Sequence, residues 1–392
     1  MFSLFFENAF ETCFLFDKLL TGTIRPPYPS PLSHTQPAEL FLQRSVLHME
    51  QSLAYIRGQL TAVMGIDSPS GCTDNIQQYL LDTLTAMGYT PSLLRKGGVH
   101  VTLGGQGNPL TLMAHADTLG AVVRRVKPNG RLAISNISLN VFNVEGENVH
   151  IITRNGSVYE GTLQLCNASI HVNPDPYQAR DLNKNMEIVL DYDVSTQEAV
   201  TAMGIRPGDV IALDPRLRIT DTGYVKSRFL DDKASVTALL TLANWYSTRR
   251  AALPRRVDLL FTVFEEVGHG GACGIADDTE ELIAVDMGCV GDDLNCTERQ
   301  VSICAKDNSG LYNRQVTNKL LRCAQEAGVD YALDIYPSYS SDASVAIRTG
   351  HDVRHGLIGP GVYASHGYER THLDGIYNTF ALLRAYIEGG EA

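Results

Sequence analysis

The run RRVDLLFTVFEE at residues 255–266 is apolar at strand length, ends on two adjacent carboxylates and passes directly into Val267-Gly268-His269-Gly270-Gly271. Two like charges closing a buried strand are costly unless a cation or a proton compensates them. Glu265 and Glu266 therefore mark a site at the end of a core strand. Outward from this run, VHVTLG (residues 99–104), PLTLMAHAD (109–117) and ELIAVDMG (281–288) are further strand-length apolar runs. Between them lie helical patterns: DSPSGCTDNIQQYLLDTLTAMGYT (67–90), with Ile76, Leu80, Leu81, Leu84 and Met87 on one face and Gly88 as its stop, and ASVTALLTLANWYS (234–247). Strands alternating with helices predict an α/β fold with a mostly parallel sheet and flanking helices.

From about Gly120 to Lys226 the pattern changes to short alternating strands, among them GRLAIS, MEIVLDYDV and GDVIALD, separated by Asn-Gly, Gly and Pro-Asp turns. This predicts a small β-barrel inserted into the α/β domain. The expected organisation is an α/β domain from residues 49–120 and 227–392, a β insertion at 121–226, and an N-terminal extension at 1–48. That extension contains TGTIRPPYPSPLSHTQP (21–37), whose proline density removes donors and restricts the backbone. It reads as a dispensable tail, or as the product of an upstream start codon, ahead of a first helix from Met49.

The 392 residues, 44% of them hydrophobic and 19% charged, are enough for more than one core and lack the composition of a disordered chain. The net charge of −12 repels phosphate backbones and anionic membranes, so neither nucleic acid nor a membrane is an expected partner. Eight scattered cysteines with no C-x-x-C pair fit reduced thiols in a cytoplasm. The Phe-rich start carries Glu7, Glu11 and Asp17 and no basic segment, which argues against a signal peptide.

Five positions carry chemistry. His115 and Asp117 stand two apart at a strand end, on one face, where a histidine can hold a metal while Asp117 accepts its other N–H, directly or as part of the surroundings of the ligand. Asp231-Asp232 precedes an apolar helix; one acid is expected to cap it and the other to be free to bridge two cations. Glu265-Glu266 suits a division of labour, one acid on a metal and the other accepting a proton. Asp286 ends a further strand, and His366 and His372 lie near the C-terminus, too far apart to share one helical face. A set of His and carboxylate ligands without cysteine suits two zinc, cobalt or manganese ions and a hydrolase.

In that order, AHADTLG, GIRPGDVIALDP, FLDDKAS, FEEVGHGGA, SSDASVA and a late histidine resemble the co-catalytic metallo-aminopeptidases: glutamyl aminopeptidase, deblocking aminopeptidase and the tetrahedral aminopeptidases, some once labelled endoglucanases. The resemblance runs from about Met49 to the C-terminus. It implies a zinc-peptidase-like fold, an inserted β domain that serves oligomerisation from dimer to dodecamer, and short peptides as substrates. It further implies His115 and Asp286 as ligands, one on each metal, Asp231 as the bridge, Glu266 and the late histidine as the completing ligands, Glu265 as general base and Asp117 as the partner of His115. His366 is preferred to His372, because the spacing to Ile376, Phe380, Leu383 and Ile387 then matches the family's closing helix.

Three departures bear on substrate choice: Thr118 where relatives carry Glu, Gly270 where Arg is common, and His366-Gly367-Tyr368-Glu369 in place of H-S-P-x-E. They leave room for a metal-dependent deacylase or amidase acting on a small modified dipeptide. A third reading, from another class, is a non-catalytic oligomeric scaffold, against which stands the filled set of acids and histidines.

Overall fold

The computed structural model describes residues 37–389, with side chains from residue 47 onward. The expected extension therefore lies mostly outside the described residues. The chain divides into two compact units, Met1–Glu50 and Gln51–Ala392, and apart from the start of the first helix the architecture below belongs to the second. Helix α1 spans Pro37–Met64, so it starts at the last proline of the tract instead of near Met49. A first-turn proline loses no intrahelical hydrogen bond, which lets the helix begin there. Ile56, Leu60 and Val63 form its buried stripe. Helix α2 (Asp74–Ala86) buries Ile76, Leu80 and Leu84 and gives way to Gly88 at φ 91°.

The strands that follow are β1 (Ser92–Leu93), β2 (Val99–Gly104) and β3 (Leu110–His115). Next come β4 (Gly120–Val126), β5 (Leu132–Ile137), β6 (Glu147–Ile152), β7 (Val158–Leu165), β8 (Met186–Leu190), the short helix α3 (Gln197–Ala202) and β9 (Val210–Leu213). These six strands close into a barrel in the order β4-β5-β8-β7-β6-β9. Alternate positions such as Ile134, Val149, Ile151, Leu163, Ile188 and Ile211 are buried and fill it, as expected for a small barrel. At Gly161 a Cβ would lie 2.7 Å from the Val189 carbonyl oxygen, so the barrel wall tolerates only glycine there.

After the barrel come β10 (Arg218–Ile219), β11 (Tyr224–Ser227), α4 (Leu230–Arg249), β12 (Val257–Thr262), β13 (Glu281–Val285), β14 (Gly288–Val290), β15 (Val301–Asp307) and β16 (Gly310–Leu311). The chain continues through α5 (Arg314–Ala327), β17 (Tyr331–Ile335), α6 (Asp342–Arg348), β18 (Arg354–Tyr363), β19 (Glu369–His372) and α7 (Leu373–Glu388). The large sheet runs β1-β2-β12-β3-β13-β18-β19-β11-β10, with β14 to β17 attached through β15 and β18. Its centre, β12-β3-β13-β18, is parallel, while β2, β15 and β19 pair antiparallel at the flanks.

Both faces of that parallel centre are covered, which is why its strands read as continuous apolar runs. Leu112, Leu259 and Ile283 join the core that includes α4 and α7. One position further along each strand, Met113, Leu260 and Ala284 face a second core with Ala343 and Ala346 of α6. Each such fully buried Leu or Ile contributes about 1.5–3 kcal/mol. The parallel strands all end on one edge, and that edge carries the polar residues.

Candidate metal centre

His115 is the last residue of β3, in register with Thr262 at the end of β12. Asp286 directly follows β13, and its N–H donates to Ile358 of β18 at 2.9 Å. Beyond β12, Phe264 turns the chain at φ 70° into a short 3-10 segment, Glu265–Val267. Asp231 opens α4, whose first residues depart from helical geometry. His366 lies in the connection from β18 to β19, at φ 60°. Ligand-type residues thus come from strand carboxyl ends and adjoining loops, the place where open α/β sheets form sites.

These residues converge. His115 Nε2 lies 3.1 Å from Asp231 Oδ1 and 3.9 Å from Glu265 Oε2. His366 Nε2 lies 3.7 Å from both Asp231 Oδ2 and Glu266 Oε2. The two oxygens of Asp231 therefore face different histidines. Among the described residues, ligand atoms of His115, Asp231 and Glu266, and of His115, Asp232 and Asp286, fall into two groups, within 4.8 Å inside each. His372 stands elsewhere: it caps α7, Nδ1 accepting the Asp374 N–H at 3.0 Å and Nε2 donating to the Thr222 carbonyl at 2.7 Å.

Two details differ from the sequence reading. His115 Nδ1 donates to the main-chain carbonyl of Asp117 at 2.9 Å, while the nearer Asp117 carboxylate oxygen is 3.7 Å away. That carboxylate instead accepts the Glu265 N–H at 3.1 Å and the Ser70 hydroxyl. It is fully buried and orients the Glu265 turn, because β3 ends at His115 and strand alternation no longer governs Asp117. Nor does an acid cap α4. The residue ahead of the helix is Phe229 at φ 65°, and both Asp232 oxygens are buried without a hydrogen-bond partner.

The electrostatics are those of an overcrowded acid cluster. Burial, reinforced by neighbouring acids, pushes Asp232, Glu265 and Glu266 well above the usual carboxylate range, and Asp286 to about 7. Burial opposes charge on His115, yet its hydrogen bond to Asp231 and the surrounding acids push it well above its ordinary value. With Nδ1 donating, a neutral His115 turns the lone pair of Nε2 toward a carboxylate oxygen. Two acceptors at 3.1 Å require a proton or a cation between or beside them.

Three supporting residues had no role assigned from the sequence. Ser70 holds Asp117. Glu369, 2% exposed, accepts the N–H groups of Asp231 and His366, each at 3.1 Å. Asp342 is buried between the Thr262 hydroxyl and the Gly271 N–H, the latter at 2.6 Å. A Cβ at Gly270 would lie 2.4 Å from Asp342 Oδ1, which gives the departure at that position a local cause. Glu369 stands in the same loop as His366, a hint the sequence did offer; the burial that gives it its role was not readable.

The description M42 glutamyl aminopeptidase matches residues 97–382. The putative aminopeptidase YhfE of Bacillus subtilis (strain 168) is 43% identical over 329 residues, covering 83% of this chain and 95% of the relative. The chain belongs to the M42 glutamyl aminopeptidase family. It is accordingly a hydrolase of the aminopeptidase class. The fold agrees: an aminopeptidase from the archaeon Desulfurococcus kamchatkensis superposes with a TM-score of 0.77 at 21% identity, covering 87% of this chain and 96% of the other. The TET1 peptidase of Pyrococcus horikoshii, which can assemble into a tetrahedron or a large octahedral shell, gives a TM-score of 0.76 at 20% identity, covering 86% and 100%. Among the described residues of this M42 chain, no helix is long and apolar enough to cross a membrane.

Proposed function

We propose that the chain is a dinuclear metal-dependent aminopeptidase that removes N-terminal residues from short peptides, with Glu265 as general base. The observation that carries this reading is the set of buried carboxylate oxygens without partners, Asp232 Oδ1 and Oδ2, Glu266 Oε1 and Asp286 Oδ1, beside two histidines. Buried acid oxygens left unpaired are costly, and a carboxylate–imidazole donor set fits zinc, cobalt or manganese. In this assignment Asp231 would be shared by both ions, Glu266 and His366 would hold one, and His115 and Asp286 would hold the other. His366 Nε2 lies 3.7 Å from Glu266 Oε2, which favours those two on one ion and His115 with Asp286 on the other, in place of the expected one on each.

When bound, such a pair of cations supplies Lewis acidity that eases deprotonation of a water and polarises the scissile carbonyl. The remaining work belongs to the chain. Asp117 fixes the Glu265 main chain, and its carboxylate side chain, only partly exposed, faces His115. Glu265 accepts the proton of the attacking water and returns it to the departing amine. The substrate's cationic N-terminus suits a surface dominated by carboxylates.

By analogy with the assemblies of its structural neighbours, the chain is proposed to form a homo-oligomer, from dimer to dodecamer, with the barrel at its contacts. The exposure of Ile170, Val172 and Tyr177 on the barrel supports this. The free state of the cysteines described fits work in a cytoplasm. The decisive experiment pairs chelation with Glu265→Gln. Chelation should abolish hydrolysis of aminoacyl anilides, and Glu265→Gln should keep the metal and lose most turnover. Full turnover in the variant would exclude Glu265 as base.

A further inference from the structure

We infer that the cavity beside the metal centre receives a neutral, mainly aliphatic first side chain, so that peptides beginning with Leu or Met are preferred to those beginning with Glu or Lys. This rests on the aminopeptidase reading and specifies its substrate. The cavity, of about 450 Å³, is lined by two chemically distinct sets of side chains. One consists of the acids and His366. The other consists of Met287, Cys289, Ser338, Tyr339, Ser340 and Val345, none of them ionic, with Cys289 and Tyr339 adjoining Asp286.

A substrate amine is drawn to the carboxylates, and its scissile carbonyl must lie near Glu265. The first side chain then enters among the non-ionic lining residues. There it meets the buried side chains of Met287 and Val345. The Tyr339 ring packs on Tyr336 with centroids 5.3 Å apart, and its hydroxyl donates to the Met287 carbonyl at 3.1 Å. Among the described residues, no lysine or arginine lines the cavity. A carboxylate entering it would be buried without a partner and close to Asp286, and an ammonium would lose its hydration among lining groups whose acids are all assigned to the metal centre. Arg348 donates to Ser340 Oγ at 3.3 Å but does not line the cavity, which leaves it outside as the rival reader of an acidic residue.

The test measures kcat/KM for leucyl, methionyl, glutamyl and lysyl p-nitroanilides on the metal-supplemented full chain. Leucyl and methionyl substrates are expected to exceed glutamyl and lysyl ones about a hundredfold. A glutamyl or lysyl rate equal to the leucyl rate overturns the inference while leaving the aminopeptidase reading standing. Loss of a glutamyl preference in Arg348→Ala would then assign the side-chain site to Arg348. Failure of every aminoacyl substrate, with zinc, cobalt and manganese alike, would instead bring down both readings. Ser338 is exposed at the cavity mouth, so Ser338→Lys adds a cation without disturbing the core. It should raise the glutamyl-to-leucyl ratio about tenfold; an unchanged ratio would place the first side chain elsewhere and overturn the inference.

Discussion

Replacing Glu369 by Gln tests whether the geometry of the centre depends on one buried carboxylate that touches no substrate. Its two oxygens accept from different segments, Oε2 from the Asp231 N–H and Oε1 from the His366 N–H, each at 3.1 Å. Glu369 also pairs with Ser227 in the β11–β19 register, so it ties the approach to α4 to the loop that carries His366. Glutamine keeps the shape but offers one acceptor, and its NH2 must face the other main-chain N–H. Leaving a buried main-chain N–H unsatisfied costs about 1–3 kcal/mol, so losing one acceptor shifts either Asp231 or His366 at a cost near 2 kcal/mol. At about 1.4 kcal/mol per decade this is a fall of about thirtyfold. The assay measures kcat/KM on a leucyl anilide and metal affinity by titration calorimetry of the metal-free chain, with thermal unfolding to confirm a folded variant. A cooperatively folded Glu369→Gln protein with the parent's metal affinity and turnover would refute the positioning argument.

Two other outcomes follow from the buried titratable groups. In the metal-free protein, burial and mutual repulsion hold Asp232, Glu265, Glu266 and Asp286 above ordinary carboxylates, with Asp286 at about 7. A folded pKa above the unfolded one means the native chain binds more protons; the associated stability is present below about pH 4 and lost as pH rises through about 7. Chelated protein should therefore lose thermal stability over that window more steeply than zinc-loaded protein, and parallel profiles would contradict the acid cluster. Burial also pushes the thiols of Cys289, Cys296 and Cys304 up to about 12, whereas Cys273 is exposed. At pH 8 a disulfide reagent should label Cys273 rapidly, Cys273→Ser should remove one fast-reacting thiol, and Cys296→Ser should remove none.

The catalytic-type residues were legible because each stands where a periodic pattern stops. His115, Glu265 and Asp286 each end a run of apolar residues, and such a run cannot terminate on buried acids without a reason. The barrel was legible through strict alternation between Asn-Gly and Pro-Asp turns. What remained hidden depends on which loops meet. Ser70 reads as part of a helix approach, and only the fold brings it to Asp117 across 47 residues. Asp342 reads as an ordinary helix start until Thr262 and Gly271 are seen around it. The role expected of the Asp117 carboxylate fell to its main-chain carbonyl, a choice that residue type cannot reveal.

The barrel's place in the chain explains why it does not separate as a unit of its own. It leaves the sheet just after His115 and Asp117 at the end of β3, and the chain returns through β11 directly ahead of Asp231. Both proposed ligands of the first histidine–aspartate contact therefore sit on the connections that hold the barrel. Further ties cross the same boundary. Ser138 donates to the Glu266 carbonyl at 2.9 Å, and Arg228, buried before Asp231, donates to Glu147 of β6 at 3.2 Å. Tyr368, two residues from His366, lies 4.9 Å from the guanidinium of Arg216 and donates to the Arg216 carbonyl at 3.0 Å. A rotation of the barrel would strain the Glu266 turn, the approach to Asp231 and the His366 loop together. Those are the segments that carry three of the five proposed ligand positions, so the orientation of the β insertion and the geometry of the candidate metal centre are a single mechanical variable.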